Sequence, residues 1–430
     1  MRIAVIGTGI AGNVAARDLA REHDITVFEA DTRIGGHTHT VDVELDGRRY
    51  AVDTGFIVFN GRTYPNFIAL LDELGVGWQD SDMSFSVQDE ASGLEYNGTS
   101  LNALFAQRIN LLRPSFYRMI GDILRFNRES RALLQPGAGD VSLDDYLAAN
   151  RYSEAFIRQF IIPMGAAIWS ARPAVMGRMP AKFFVRFFEN HGLLTVNDRP
   201  VWRVVRGGSA RYLEKLVAGH RERIRTGCAV QSVRRFPGHV LVKAQGQDAE
   251  RFDHVFIACH SDQALRLLAD ASPLEREVLG AIEYQRNEAV LHTDARLMPQ
   301  RRRAWAAWNY HLPAEDQERV AVTYHMNTLQ GIRAPADFCV TLNHTSAIDP
   351  ARILQTIEYD HPVFTPAAVA AQQRHAEVNG APVNGGARTW FCGAYWRYGF
   401  HEDGVVSALS ALDHFNEALS HEQRDFRRAS

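Results

Sequence analysis

No stretch constrains the fold of this chain more than RIAVIGTGIAG at residues 2–12. The run RIAVI is apolar and too short for a helix, so it reads as a buried strand. Gly7, Gly9 and Gly12 come next, followed by a helical pattern that turns Ala11, Ala15 and Leu19 toward the strand. DITVFEA at 24–30 supplies a second strand, ending on Glu29 and Ala30. Strand, glycine turn, helix and strand make a βαβ unit, the building block of a parallel sheet covered by helices. Gly7 permits the tight turn, Gly9 lets a pyrophosphate approach the backbone, and Gly12 lets helix and strand pack closely. Ile10 and Ala11 open a helix whose N–H groups face the phosphates. Glu29 is spaced to accept hydrogen bonds from a ribose. The unit predicts an α/β fold that binds a dinucleotide.

The remaining composition narrows the class. With 430 residues there is room for two or three domains with their own cores. A net charge of −3 argues against nucleic-acid binding by bulk electrostatics. Cys228, Cys259, Cys339 and Cys392 lie far apart without a CxxC pair. That spacing suits buried thiols in a reducing cytosol better than zinc or disulfides. The longest apolar run, FIIPMGAAIW at 160–169, carries a proline and falls short of a membrane span. The first strand begins at Arg2, so no leader peptide is expected. A cytoplasmic protein able to dock on a membrane surface is the expectation.

A simple NAD domain would continue into another βαβ unit. Here Glu29-Ala30 is followed by Arg33, the pair Gly35-Gly36, and His37. This arrangement resembles the FAD fingerprint of the flavin amine oxidase and phytoene desaturase superfamily. The resemblance implies a glutathione-reductase-type, Rossmann-like FAD-binding domain beside a substrate domain of antiparallel sheet plus helices. It implies that Gly35 and Gly36 bring backbone amides to the FAD pyrophosphate, with His37 standing where the family usually has arginine. It extends to Thr54, Gly55 and Phe56 in VDTGFIVFNGRTYPNF, and to Val230, at the position that meets adenine through its backbone.

It also gives a role to RTWFCGAYWRYGFHEDGVVSAL at 388–409. A strand would pass through Gly393 and Ala394 into a helix beginning near Glu402, Asp403 and Val405. The helix N-terminus would face the N1–C2=O edge of the flavin and stabilise the charge of the reduced ring. Ala394 replaces the family's usual acid, which leaves Glu402 or Asp403 to supply a ribityl hydrogen bond. His401, Glu402 and Asp403 are consecutive and do not face one another as a triad would. One is read as a helix cap, one as a flavin contact and one as solvated. Tyr395, Trp396, Tyr398 and Phe400 stand either over the ring or in ordinary packing.

Between these elements, 83–96 suggests a hairpin, and 102–134 and 142–191 suggest helices, with a capping box in SLDD at 142–145. Residues 223–236 read as one strand, and Ser261 as the cap of a helix after FDHVFIACH. Four strand-like runs across 288–345 predict the antiparallel sheet. The expected division assigns 1–75, 201–270 and 386–425 to FAD binding. It assigns 76–200 and 271–385 to the substrate domain.

Amine oxidases commonly present a lysine to flavin N5, yet EYQRNEAVLHTDARLMP at 283–299 has none. The chain's three lysines are Lys182, Lys215 and Lys243. VDTGFIVFNGRTYPNF, ARLMPQRRRAW and FCGAYWRYGFHEDG resemble the branch of the superfamily met with cyclopropane-fatty-acid-synthase-like methyltransferases. That implies oxidation or desaturation of a methylated or cyclopropanated fatty acyl chain, of the furan fatty acid type, by hydride transfer to N5. His401, Tyr395 and His325 are the catalytic candidates. Expected partners are a lipid substrate, a lipid methyltransferase and a membrane surface. The membrane would be met through 101–134, which carries Arg108, Arg113, Arg118, Arg125, Arg128 and Arg131. An amine oxidase, a non-catalytic flavoprotein partner of such a methyltransferase and an NAD-dependent dehydrogenase are the alternatives. His37 and His39 share a strand face without a third ligand, so no metal is expected.

Overall fold

The computed structural model describes every residue except Val196, Asp198, 315–318 and Ser430, and the side chains of the last helix as far as His421. The first strand, Arg2–Ile6, is the centre of a five-stranded parallel sheet. Across this sheet the order is Ile224–Arg225, Asp24–Phe28, Arg2–Ile6, His254–Ile257 and Thr389–Phe391. Ile3 pairs with Ile25 on one side and His254 on the other. These short strands are almost wholly buried, as a parallel sheet covered on both faces requires. The first helix, Ile10–Leu19, lies against the last helix, His401–Ala429, where a Cβ on Gly404 would press on Ile10. The two ends of the chain thus meet at one edge of one site.

A seven-stranded sheet forms the second layer system, in the order Ile353–Val363, Glu283–His292, Cys339–Leu342, Ala321–His325, Trp308–Leu312, Phe85–Asp89 and Leu94–Asn97. All its pairings are antiparallel except Trp308–Leu312 with Phe85–Asp89. The hairpin at 85–97 and four strands within 283–342 occupy the expected stretches. Helices Pro114–Glu129, Ile162–Trp169 and Ala181–Asn190 pack on an aromatic core that includes Phe126, Phe156 and Phe184. A small sheet of Val58–Asn60, Trp202–Val205 and Trp78–Asp80 ties the segments around it together.

Three expectations are corrected. The strand at 223–236 is two strands: Ile224–Arg225 joins the parallel sheet, and Gly227, at φ +60°, turns Val230–Phe236 into an antiparallel meander. Ser261 is the first helical residue and not the cap. His260 takes the cap position in extended conformation, and its N–H meets Gln263 Oε1 at 3.3 Å. Ile353–Val363 is a strand that the sequence pattern did not announce. It is a sheet edge with half-buried residues on both faces and Pro362 near its end, so neither alternation nor a pure apolar run marks it.

Candidate active site

The phosphate end is built from backbone. The first helix starts at Gly9 with no side-chain cap and no acid in its first turn, so its leading N–H groups have no side-chain partner. A Cβ on Gly9 would meet nothing within 4 Å, whereas one on Gly12 would overlap the carbonyl oxygen of Gly7. Gly9 borders open space; Gly12 allows contact. Gly35 and Gly36 have φ of +122° and +57°, and a Cβ on Gly36 would come within 3.2 Å of Gly9 Cα. The second glycine turn therefore lies against the first. Arg33 holds that turn from behind, donating from Nη2 to Gly36 O at 2.7 Å and from Nη1 to Thr38 O at 2.9 Å.

Glu29 stands at the other side of the same cradle. Its carboxylate accepts N–H bonds from Thr8 and Asp31, each at 2.9 Å, and the Thr8 hydroxyl donates to it as well. Thr8 Oγ1 in turn accepts from Gly35 N at 3.1 Å, which couples the acid to both turns. Glu29 N donates to Arg225 O, and Cys228 N to Glu29 O at 2.7 Å, which ties Glu29 to the segment that leads, two residues on, to Val230. An uncapped helix start, an open Gly9 and a held carboxylate fit the pyrophosphate and ribose of FAD.

Beside this cradle, side chains from distant segments come together. Phe56 N donates to His37 O at 2.7 Å and Thr54 N to His39 O at 2.9 Å, while a Cβ on Gly55 would overlap the His37 carbonyl. Residues 54–56 are thereby clamped to 37–39. The half-buried His37 ring stacks on Tyr359, with centroids 4.8 Å apart, and lies 5.4 Å from His361 and 6.3 Å from His260. Tyr359 is fixed through its hydroxyl by Thr54 Oγ1 at 3.0 Å and His39 Nδ1 at 3.2 Å. Asn287 Nδ2 donates to His361 Nδ1 at 2.9 Å, which leaves the proton of that ring on Nε2.

Burial, then the neighbouring imidazoles, holds His37 well below the usual histidine range, and burial takes His39 and His361 down to about 4. All three are neutral at pH 7. His260 stacks on Tyr284 at 4.5 Å, and Tyr284 accepts the Ser261 N–H at 3.0 Å. Sequence reasoning missed His260, Asn287, Tyr359 and His361. The polar DHP within ILQTIEYDHPV was the available signal.

The C-terminal turn divides the expected site residues. Gly393 N is held by Ser407 Oγ at 2.7 Å, and Ala394 lies across from Gly404, beside Ala11. Val405 is buried in the core between the first and last helices. Asp403 caps its own helix, accepting from Phe400 N at 3.0 Å and Tyr398 N at 3.2 Å. Glu402 caps a different helix, Pro65–Glu73, by accepting from Asn66 N at 3.1 Å, Asn66 Nδ2 at 2.7 Å and Phe67 N at 2.9 Å. Both carboxylates bond protein N–H groups, so each has a structural role beside any ribityl contact it makes. Two acids in the first turn also offset the positive end of this helix.

The three catalytic candidates fall in different places. His401 is buried, stacks on Phe56 at 3.5 Å, and shares Nε2 between Tyr212 OH at 2.9 Å and Thr38 Oγ1 at 3.0 Å. Burial pushes it down to about 3. Its contacts are those of a packing residue. His325 bonds Thr328 Oγ1 and Asp337 Oδ1 at 2.7 and 3.0 Å and pairs in register with Cys339, which faces His292. Tyr359 faces Asn287, five residues earlier in that strand and so about 17 Å along it. The sheet does not bring His325 to the histidine wall. Tyr395 is buried with its hydroxyl unpartnered, and burial beside Tyr284 raises its phenol well above the ordinary value.

The aromatic run splits as well. Tyr395 and Trp396 sit in the core under the parallel sheet, while Tyr398 and Phe400 reach the other way. Tyr398 packs on Phe183 at 4.7 Å and Phe400 on Phe187 at 5.2 Å, with Trp169 against Phe187 at 4.7 Å. A cavity of about 500 Å³ opens behind Tyr398 and Phe400, between Asn66, His191 and Arg397. None of the glycines at 7–12 or 35–36 lines it.

Comparison with known proteins agrees with this geometry. The sequence model of the family described as "Flavin containing amine oxidoreductase" matches residues 10–293. The "Putative flavin-containing monoamine oxidase AofH" of Mycobacterium tuberculosis is 29% identical over 262 residues, 58% of this chain and 54% of that protein. The chain thus spans about half the length of the curated relatives it matches first. Among solved structures, a cyclohexylamine oxidase from Brevibacterium oxydans superposes with a TM-score of 0.69 at 16% identity, covering 97% of this chain and 99% of the other. A CLA-producing fatty acid isomerase from P. acnes gives 0.66 at 16% identity, covering 96% and 98%. At these identities the likeness is one of fold.

Proposed function

As a member of the flavin-containing amine oxidoreductase family, with FAD as its cofactor, this chain is, we propose, an oxidoreductase that removes a hydride from a fatty acyl chain. FAD, when bound, supplies the hydride acceptor. One observation carries the choice of substrate. The half-buried Phe183, Tyr398 and Phe400, backed by Phe187 and Trp169, make an apolar wall beside the turn that ends the last sheet strand. Such a wall suits a hydrocarbon chain. The resemblance to the methylated and cyclopropanated acyl-chain branch points the same way.

Strand Glu283–His292 carries no lysine on the cofactor side. Lys215 is engaged with Leu74 O and Gly75 O at 3.0 and 2.8 Å, and Lys243 is exposed on the meander. The groups available to hold or move a proton are the neutral imidazoles of His37, His260 and His361 and the phenol of Tyr359. The His37 ring makes no hydrogen bond to another described residue, so it is the ring free to meet cofactor or substrate.

A second reading, amine oxidation, is favoured by the printed names of the mycobacterial relative and the cyclohexylamine oxidase. Anaerobic mixing separates the two. Lipids with methyl-branched or cyclopropane chains should bleach the flavin's blue absorption band, while a panel of primary amines should not. Bleaching by an amine alone would overturn the acyl reading. No bleaching by either would favour a flavoprotein that serves a lipid methyltransferase without turning over.

A further inference from the structure

We infer that residues 101–118, with the arginines packed beside them, form a face that docks on an anionic lipid surface. The segment contains no aspartate or glutamate and carries Arg108, Arg113 and Arg118. It holds five of the chain's exposed large apolar side chains: Leu101 and Leu112 are each 78% exposed, and Ile109, Leu111 and Tyr117 about half. Isolated exposed leucines are ordinary, but five in one short, contacting stretch are not.

The patch is held together. Arg108 donates to Asn102 Oδ1 at 2.6 Å and Phe105 O at 2.9 Å, Tyr117 OH to Leu111 O at 3.1 Å, and the rings of Phe105 and Tyr117 lie 6.0 Å apart. The helix Leu101–Leu104 touches the turn Arg302–Ala304, which adds the exposed Arg302 and Arg303 to the rim. The nearest acids in sequence point inward. Glu95 is buried and accepts from Gln300 N and Arg301, and Asp122 is buried against Arg125 and Ser153 N.

The later arginines of the segment behave differently. Arg125 lies over Tyr152 at 4.0 Å and pairs with Asp122, Arg128 pairs with Glu129, and Arg131 with Glu189. Arg118 lies 4.0 Å from Asp122 Oδ2, so among the described residues the positive charge without a carboxylate partner is that of Arg108, Arg113, Arg302 and Arg303, where the leucines protrude. Protruding aliphatics ringed by arginine match the boundary between acyl chains and anionic headgroups. A two-fold dimer through the same patch would bring two acid-free, arginine-bearing faces together, which disfavours a second chain as the occupant. The inference rests on this surface alone and holds whichever molecule is oxidised.

Sedimentation with vesicles tests it on the FAD-loaded protein. Vesicles of phosphatidylcholine with about one-quarter phosphatidylglycerol should carry the protein down, pure phosphatidylcholine much less, and added salt should release it. L101D/L112D and R108E/R118E should each lower the partition coefficient roughly tenfold or more. Both variants should keep the flavin spectrum of the parent and stay folded at the assay temperature, L101D/L112D because its altered side chains face solvent and R108E/R118E because the bonds it loses lie at the surface. Equal sedimentation of parent and both variants, or no sedimentation of the parent, would overturn the inference. So would a dimer of the parent that L101D/L112D converts to monomer while vesicle binding persists.

Discussion

The chain uses a strand–glycine–helix turn twice, at residues 2–12 and at 389–404, and the two turns do opposite things with their helix ends. The first helix begins without an acid, without a side-chain cap, and with Gly9 facing open space. The last helix begins with Glu402 and Asp403 in its first turn, and both bond N–H groups of the protein. A bare helix end is a site for an anion; a capped one is a joint. The first turn therefore fits the cofactor's phosphates. The second fastens the last helix, the Pro65–Glu73 helix and the aromatic turn into one rigid corner.

The largest effect should come from closing the open turn. In Gly9→Val the added Cβ meets no protein atom within 4 Å, so the fold should survive, but the side chain fills the space that the pyrophosphate needs. The expected product is a folded, colourless protein that stays colourless on incubation with FAD. A yellow, FAD-saturated Gly9→Val protein would falsify the assignment of the phosphate site.

Next in size is the pH response of the capped turn. Burial raises Asp403 to about 7 from its ordinary value of 3.8. An acid raised on folding keeps its proton where the unfolded chain has lost it, so its contribution to stability falls as pH rises from about 4 to about 7 and is flat above. Asp403→Asn keeps an oxygen for the Phe400 N–H and removes the titration. Relative to the parent it should gain on the order of 1–4 kcal/mol between pH 4 and pH 8. Denaturant melts at both pH values measure this, and parallel curves for parent and variant would count against a buried, proton-holding Asp403.

Glu402→Ala should cost about 1–3 kcal/mol, since it strands the Asn66 and Phe67 N–H groups, yet it should leave FAD content unchanged. Loss of FAD with unchanged stability would instead return Glu402 to the cofactor and erase the contrast between the two turns.

The same contrast explains what could be read from sequence. The βαβ start was legible because its requirements are local: a short apolar run, three glycines and an acid, each needed by the backbone geometry of its own neighbourhood. The hairpin at 85–97 and the strands within 283–342 were legible through periodicity. The histidine wall was not, because His37, His260, Asn287 and the pair Tyr359 and His361 come from four distant segments and meet only in the folded chain. Nor does HEDG reveal that Glu402 caps a helix some three hundred residues earlier in the chain. The motif's charge suggested a flavin contact; its hydrogen bonds give it a structural role.

The smallest effect is expected at His401, and it decides whether that residue belongs to the chemistry or to the joint. Burial takes its imidazole down to about 3, so it is neutral throughout the range in which an unfolded histidine titrates. A base lowered on folding contributes stability above pH 6.5 and loses it as pH falls toward 3, because the unfolded chain binds the extra proton. His401→Gln can still meet Tyr212 and Thr38, and should cost about 1 kcal/mol at pH 7.5 while softening acid unfolding below pH 6. The rate of anaerobic flavin reduction should keep its parental pH dependence. A reduction rate that loses a titration near neutrality in His401→Gln would show that the ring takes part in proton transfer. Set beside Asp403→Asn, the variant separates two adjacent buried groups whose stability contributions run in opposite directions with pH.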